Sequence, residues 1–75
     1  MNVNSRLLMK VGDLVKVKDG DHRIQKDGPF PVGVITDALE DDAGFYHFEV
    51  VYTFLGSQER EWLADLQLEV VESYD

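Results

Sequence analysis

Cysteine is absent from this 75-residue sequence, which also holds only two prolines and one tryptophan. Without cysteine the chain forms neither a disulfide nor a thiolate metal site, which fits a reducing compartment. No apolar run approaches the roughly 18 residues that a membrane-spanning helix needs. The N-terminal stretch "MNVNSRLLMK" also lacks the long apolar region of a signal peptide. These absences predict a cytoplasmic protein that does not act in a membrane.

Positive charge is nearly missing from most of the chain. Six of the seven Lys and Arg residues lie in residues 1–26, which carry a net charge of +3. Residues 27–75 hold Arg60 alone against twelve acidic residues, a net charge of −11. Binding to a phosphate backbone requires Lys and Arg to displace counterions, so this charge argues against nucleic acid as a partner. Such acidity is typical of a well-solvated, aggregation-resistant surface.

Alternation of apolar and polar residues predicts five short strands. The longest, "FYHFEVVYTF", places one apolar set on its core face, namely Tyr46, Phe48, Val50, Tyr52 and Phe54. The segment "ADLQ" is long enough for one 3₁₀ turn and too short for an α-helix. Such a turn lets the chain cross the end of a barrel and resume as the strand "LEVV". The sequence therefore predicts an all-β fold, a small five-stranded SH3-like barrel with a 3₁₀ turn before the last strand.

Single residues along the chain predict where the domain begins and where its strands bend or turn. Met9 precedes the first strand motif, so we expect residues 1–9 to be a flexible N-terminal extension and residues 10–75 to form the barrel domain. Gly33 lies inside the second predicted strand, where glycine indicates a bulge, a bend or a close backbone approach. Gly56 and Ser57 are expected to turn the chain between strands three and four. Three leucines are expected to plug the barrel end: Leu63, Leu66 and Leu68.

Candidate metal ligands lack a ligating pattern. His22 and His47 are the only histidines, and no spacing supplies the three protein ligands of a catalytic zinc site. The stretch "DALEDDAG" is rich in acids but does not follow the EF-hand order, so we interpret it as a polar hairpin tip. We expect no metal site and no cofactor.

Catalytic residues are equally hard to assign. Ser5, Ser57 and Ser73 lie outside any nucleophile elbow. Glu59 and Glu61 share one strand face, but acid–base work would need a pocket that shifts one of their pKa values. A chain of this length has little material for such a pocket. We expect no catalytic residues and no enzymatic activity.

The only tryptophan offers two interpretations. Trp62 alternates with Glu61 and Leu63, so it lies on the face opposite to theirs. In the first interpretation it covers the barrel mouth, as large aromatic side chains commonly do. In the second it forms an exposed apolar patch for protein binding or self-association. The residues of this predicted patch are Pro29, Phe30, Pro31 and Trp62.

The stretches "VGDLVKVKDG", "GVITD", "FEVVY" and "REWLADLQLEVV" together resemble small SH3-like barrel proteins of tailed bacteriophages, including cyanophages, over residues 10–72. On "GDLVKVK" and "DLQLEVV" the chain is also similar, more weakly, to the small docking barrel of photosystem I and to the variable chain of ferredoxin–thioredoxin reductase. Those two barrels dock redox proteins and hold no cofactor of their own. The photosystem barrel is basic, whereas this chain is acidic from Asp27 onward. The first resemblance implies a phage protein in the host cytoplasm.

Three functional hypotheses follow, none of them enzymatic. The first is a protein-interaction or assembly module that uses the predicted patch. The second is an acidic phage inhibitor or modulator of a host enzyme that binds nucleic acid. The third is an accessory barrel of a redox or photosynthetic complex, which the weaker resemblance implies.

Overall fold

The computed structural model describes residues 9–72, and these residues fold almost entirely into β-strands. A single 3₁₀ turn, Asp65–Gln67, precedes the last strand. This confirms the predicted all-β class with five strands and one 3₁₀ turn. The strands are β1 Leu14–Val17, β2 Val32–Glu40, β3 Tyr46–Phe54, β4 Ser57–Ala64 and β5 Leu68–Glu72.

The five strands form one antiparallel sheet in the order β4-β3-β2-β1-β5. Strands β1, β2 and β3 each pair with the next strand along the chain, and β5 returns to the free side of β1. Val70 lies opposite Val15 in this last pairing. This strand order, with a 3₁₀ turn before β5 returns to β1, is that of an SH3-like barrel, the predicted fold.

One small core lies on the inner face of the sheet. Its eight buried side chains are Val15, Val17, Ile35, Phe48, Val50, Tyr52, Leu63 and Leu68, with Met9, Ile24 and Phe54 packed against them. The predicted core face of β3 is confirmed in its middle, but Tyr46 at its start is 48% exposed. Tyr46 instead stacks on Phe48 with a centroid separation of 6.3 Å, because the strand extends beyond the core at this end.

Strand β2 bends where the sequence predicted an irregularity. A β-carbon added to Gly33 would lie 2.6 Å from the Val51 carbonyl oxygen and 2.8 Å from the β-carbon of Tyr52, so β2 approaches β3 more closely than a side chain allows. The β2–β3 register then shifts between Ile35 and Asp37. Such a bulge bends a strand and increases its twist. This geometry confirms the close approach that was one of the predicted roles of Gly33.

The β3–β4 turn is centred one residue earlier than expected. Leu55 and Gly56 form the two-residue loop, with φ values of 53° and 82°. Ser57 already belongs to β4, where it pairs with Phe54. Positive φ at both loop residues matches the right-handed twist of the strands that they join, which favours this shorter turn.

The 3₁₀ turn corrects one leucine assignment. Leu63 and Leu68 are buried as predicted, but Leu66 is 87% exposed and does not plug the barrel. The reason is that Gln67 turns inward. Its Oε1 accepts a hydrogen bond from the Ala64 N–H at 2.8 Å, and its Nε2 donates to the carbonyl oxygen of Asp19. Leu66 therefore faces outward.

The start of the described chain is anchored at Asp13, whose buried side chain accepts a hydrogen bond from the Lys10 N–H at 3.0 Å. Met9 packs against the core. The rest of the predicted N-terminal extension, residues 1–8, lies outside the described residues.

The close approach at Gly33 gives a first prediction. Gly33→Ala should lower the free energy of unfolding by about 1–3 kcal/mol, because the added methyl group meets backbone atoms that must shift. Urea unfolding monitored by circular dichroism measures the change. Val32→Ala at the neighbouring, outward-facing position is the control and should change stability much less. Equal stability of Gly33→Ala and the wild type would contradict the assignment.

Candidate protein-binding surface

The outer face of the sheet carries apolar side chains across several strands. Leu14 lies opposite Val34, and Val34 lies opposite Val51 on the next strand. Val32 is two residues before Val34 on the same face, and Trp62 is diagonal to Val51 because Val51 pairs with Arg60. All five are exposed or half-buried. We call this surface the outer strip; it consists of Leu14, Val32, Val34, Val51 and Trp62.

Trp62 lies on the outside of the barrel. Its indole side chain is 48% exposed, whereas its neighbour Leu63 is 6% exposed and fills the core. Its other neighbour, Glu61, faces the inner side and accepts a hydrogen bond from the Tyr52 hydroxyl at 2.9 Å. Trp62 is thus exposed on the outer face, and its role as a contact residue stays a prediction.

Polar groups border Trp62. Glu49 lies directly opposite it on β3. The Glu49 carboxylate accepts hydrogen bonds from the Thr36 hydroxyl at 2.9 Å and from the Arg60 guanidinium at 3.2 Å. These two bonds satisfy the carboxylate beside the ring, so an apolar indole face is flanked by a charge pair that is already formed.

The other three residues of the predicted patch lie elsewhere. Pro29, Phe30 and Pro31 end the loop before β2, where the Pro31 carbonyl oxygen accepts the Val17 N–H at 2.8 Å. Trp62 pairs with Glu49 on β3, and Glu49 pairs with Asp37 on β2, so Asp37 marks the position on β2 that corresponds to Trp62. That position is five residues beyond Val32, an offset of roughly 16 Å along the strand. The structure therefore keeps the three loop residues together, next to the Val32 end of the outer strip, and places Trp62 at its other end.

Phe30 instead borders a half-open depression of about 440 Å³. The depression lies between the loop and the end of β1, and its lining combines two cations with apolar side chains. The lining residues are Lys18, Asp19, Ile24, Lys26 and Phe30. Two lysines of the basic N-terminal part of the chain thus lie beside Phe30.

The outer strip contains residues that the sequence interpretation did not select. Leu14, Val32 and Val34 each alternate with an inward-facing neighbour, so the same two-residue period that found the core also places them outside. The signal was present within each strand. What the sequence lacked was the register that aligns them across β1, β2 and β3.

The barrel mouth holds a network of charged side chains. Arg23 Nη2 lies 2.8 Å from Asp21 Oδ2 and 3.3 Å from Glu59 Oε2. The guanidinium carbon is 5.5 Å from the centroid of the Phe54 ring. Side-chain hydrogen bonds from Arg23 hold the pKa of Asp21 well below its usual range. This network fixes the long loop between β1 and β2 on the β3–β4 hairpin.

The buried Tyr52 of β3 also belongs to this network. Its hydroxyl donates to Glu61 and accepts a hydrogen bond from the Asp21 N–H at 3.1 Å. Burial, together with the hydrogen bond to Glu61, raises the pKa of Tyr52 to about 12, while the hydrogen bond from the Asp21 N–H acts in the opposite direction. Glu59 and Glu61, the carboxylate pair considered for acid–base chemistry, are therefore each engaged by a structural partner.

Carboxylate oxygens of Asp21, Glu59 and Glu61 lie within 4.8 Å of one another, which is the spacing of a metal-ligand group. Arg23 already supplies a positive charge to two of them. His22 Nδ1 is 3.7 Å from Asp21, and His47 Nε2 is 3.0 Å from Asp41. The geometry thus gives these acids an ion-pair role, and the absence of a metal site stays a prediction.

The acidic hairpin tip is organised by Asp41. Its Oδ1 accepts hydrogen bonds from the N–H groups of Ala43 and Phe45, each at 2.9 Å. A hydrogen bond from His47, followed by the backbone bond from Phe45, lowers the pKa of Asp41. This is the polar turn that the sequence predicted. Of the three serines considered, Ser57 begins β4, while Ser5 and Ser73 lie outside the described residues.

The Asp21–Arg23 pair gives a prediction on acid stability. Because the pKa of Asp21 is lowered from 3.8 on folding, its contribution is present above that value and is lost as the pH falls through the folded-state pKa. Arg23→Met should therefore lower the melting temperature at pH 6, and its difference from wild type should shrink below about pH 4. Circular dichroism melts between pH 2 and pH 7 test this.

Lys26→Met removes another exposed cation from the same loop and is the control for this experiment. Asp41 remains in both proteins, so its own acid titration cancels in the difference. A difference between Arg23→Met and wild type that stays constant across the pH range would show that the ion pair does not link this loop to folding.

Comparison with known proteins identifies no relative: no family model, no curated protein and no solved structure matches the chain. Within residues 9–72 there is no helix with the length and apolar character that crossing a membrane requires. Functional conclusions therefore rest on the geometry of the described residues.

Proposed function

We propose that this protein is a non-enzymatic protein-interaction module that binds its partner through the outer strip. The observation that carries the proposal is an apolar row crossing three adjacent strands, Leu14, Val34 and Val51, with Trp62 beside it on the fourth. The outer face of an isolated antiparallel sheet is normally polar, since it meets water. Contiguous apolar groups on such a face mark interaction surfaces.

The composition of the outer strip suits an interface. Tryptophan is enriched among the few residues that dominate binding energies, and such residues are surrounded by contacts that exclude water. Aliphatic side chains on one side of the indole would be desolvated on binding. The Glu49–Arg60 pair crosses the diagonal between Val51 and Trp62, and its charges are already matched.

The charged groups at the mouth support a binding role over catalysis. Asp21, Glu59 and Glu61 engage Arg23 and Tyr52 in contacts that position the loop. A general acid or base must be able to reach a substrate proton. Here the carboxylates are used to join β-strands to the loop, which is a structural task.

Trp62→Ala tests the outer strip. It should weaken partner binding by at least about 2 kcal/mol, or about thirtyfold, while the melting temperature stays close to wild type, because the indole is half-exposed. Quantitative pull-down from host lysate followed by titration of the recovered partner measures the loss. Trp62 is the only tryptophan, so a blue shift of its emission on binding reports its burial.

Phe45→Ala is the matched control for this experiment, because Phe45 is 68% exposed and lies in the hairpin loop that precedes β3. It removes an aromatic side chain without touching the outer strip. Equal partner binding by Trp62→Ala and wild type would refute the proposed surface. A large fall in melting temperature for Trp62→Ala would show instead that the indole serves folding.

A second candidate, the acidic modulator of a host enzyme, is favoured by the charge pairing. Lys10, Arg23 and Arg60 are each in contact with a carboxylate, so these cations offset acids locally and the large acidic excess of residues 27–75 remains. Salt separates the two candidates. Binding by charge should weaken steeply from low to moderate ionic strength, whereas binding through the outer strip should change little.

A further inference from the structure

Strand β5 is an outermost strand of the sheet formed by residues 9–72. In its pairing with β1, the Lys18 N–H donates to the Gln67 carbonyl oxygen at 2.9 Å. Hydrogen-bonding groups alternate in direction along an antiparallel strand. The backbone groups of Gln67 and Glu69 therefore point towards β1, while those of Leu68 and Val70 point away from it. The Leu68 N–H donates to the Asp65 carbonyl oxygen, so the free groups at this edge are the Leu68 carbonyl and the N–H and carbonyl of Val70.

The side chains along this edge are accessible. Val70 and Val71 are 37% and 50% exposed, and Glu69 and Glu72 are also exposed. Val70 belongs to the inner face, as its pairing with Val15 shows. It remains accessible because no further strand of the described chain covers its other side. The edge thus presents a free backbone ladder beside an apolar side chain.

The neighbour that β5 already has shows which sequence pattern fits it. On β1, Val15 lies opposite Val70, Lys16 opposite Glu69 and Val17 opposite Leu68. The aliphatic pairs lie on the inner face, and the lysine and glutamate face outward together. A strand with the pattern aliphatic-lysine-aliphatic is therefore complementary to Leu68–Val70 in both packing and charge.

We infer that the free edge of β5 binds an extended segment of a partner protein in which a lysine or arginine lies between two aliphatic residues. The segment adds to the sheet as a sixth strand. Its backbone bonds to the free groups of Leu68 and Val70, its cation faces Glu69, and its aliphatic side chains cover Val70. This mode of recognition takes affinity from backbone hydrogen bonds and specificity from alternate side chains.

A second copy of the same edge pairs poorly in the register that sets Leu68 against Val70. This register brings the two Glu69 side chains directly opposite one another, and the Leu68 N–H, which is bonded to Asp65, supplies no hydrogen bond to it. Like charges directly opposite in a sheet are destabilising. Glu69 therefore opposes pairing between copies in this register and favours a basic partner strand, since a charge on an exposed edge commonly limits self-pairing.

The experiment uses two capped octapeptides as probes, one alternating valine with lysine and the other alternating valine with glutamate. Each is titrated into the ¹⁵N-labelled full-length chain. The lysine peptide should shift the amide resonances of residues 68–72 and slow hydrogen exchange of the Val70 N–H. The glutamate peptide should bind at least about fivefold more weakly, the change expected when an opposed pair of unlike charges becomes a pair of like charges.

Variants at Glu69 test the charge. Glu69→Lys should reverse the preference between the two peptides, and Glu69→Gln should reduce it without placing a cation opposite Lys16. Glu40→Lys, which changes an exposed acid at the far end of β2, is the control and should leave the preference unchanged. An unaltered amide spectrum away from β5 shows that each variant is folded.

Three outcomes would overturn the inference: no shift at residues 68–72 with either peptide at millimolar concentration, equal binding of both peptides, or a preference that Glu69→Lys leaves unchanged. The outer strip lies on the outward face of β1 to β4 and does not include the β5 edge. Trp62→Ala should accordingly leave peptide binding intact. Failure of this inference and failure of the proposed function are therefore distinguishable.

Discussion

The bend of β2 is the constraint on which the rest of the structure depends. This strand pairs with β1 through its first residues and with β3 along nearly its whole length, so it is the connection between the two halves of the sheet. Gly33 allows β2 to approach β3, and the bulge between Ile35 and Asp37 redirects the strand. Thr36, at the bulge, donates its hydroxyl hydrogen to the Glu49 carboxylate. Curling the sheet here encloses eight core side chains in a very short chain.

The same curvature determines which polar side chains contact one another at the barrel mouth. Closing the mouth brings Asp21 of the long loop near Glu59 and Glu61 of β4, three acids that would repel one another if left alone. Arg23 and the Tyr52 hydroxyl lie among them and convert the repulsion into a hydrogen-bonded network. This network holds the loop in place together with the packing of Ile24 against the core. Glu59 and Glu61, which resemble a catalytic carboxylate pair in the sequence, thus help to hold the loop on the sheet.

Sequence periodicity predicted which side chains of β3 face inward, and the structure confirms this for the middle of that strand. The two-residue period identifies a face but carries no information on which residues lie beside one another on neighbouring strands. The prediction that Leu66 plugs the barrel is wrong because the two-residue alternation stops at the 3₁₀ turn, where the Gln67 side chain turns inward. Trp62 was grouped with Phe30 by character alone, and the register separates them. The outer strip depends wholly on register, so it emerges only from the three-dimensional fold.

The free edge of β5 and the outer strip differ in how selective they are for a partner, and the charged residues are placed differently on the two. An exposed sheet edge recruits any strand, because backbone hydrogen bonds are indifferent to sequence, whereas an aliphatic and indole surface requires a partner of matching shape. Glu69 lies at the edge, where indiscriminate pairing must be prevented. In the outer strip, Val34 has aliphatic partners on both sides, and charged residues lie only around it. Lys16 is opposite Val32, Glu72 is opposite Leu14, and Glu49 is matched by Arg60. Placing negative charge at the edge and apolar surface on the face allows a small acidic barrel to remain receptive to specific partners while opposing its own assembly into extended sheets.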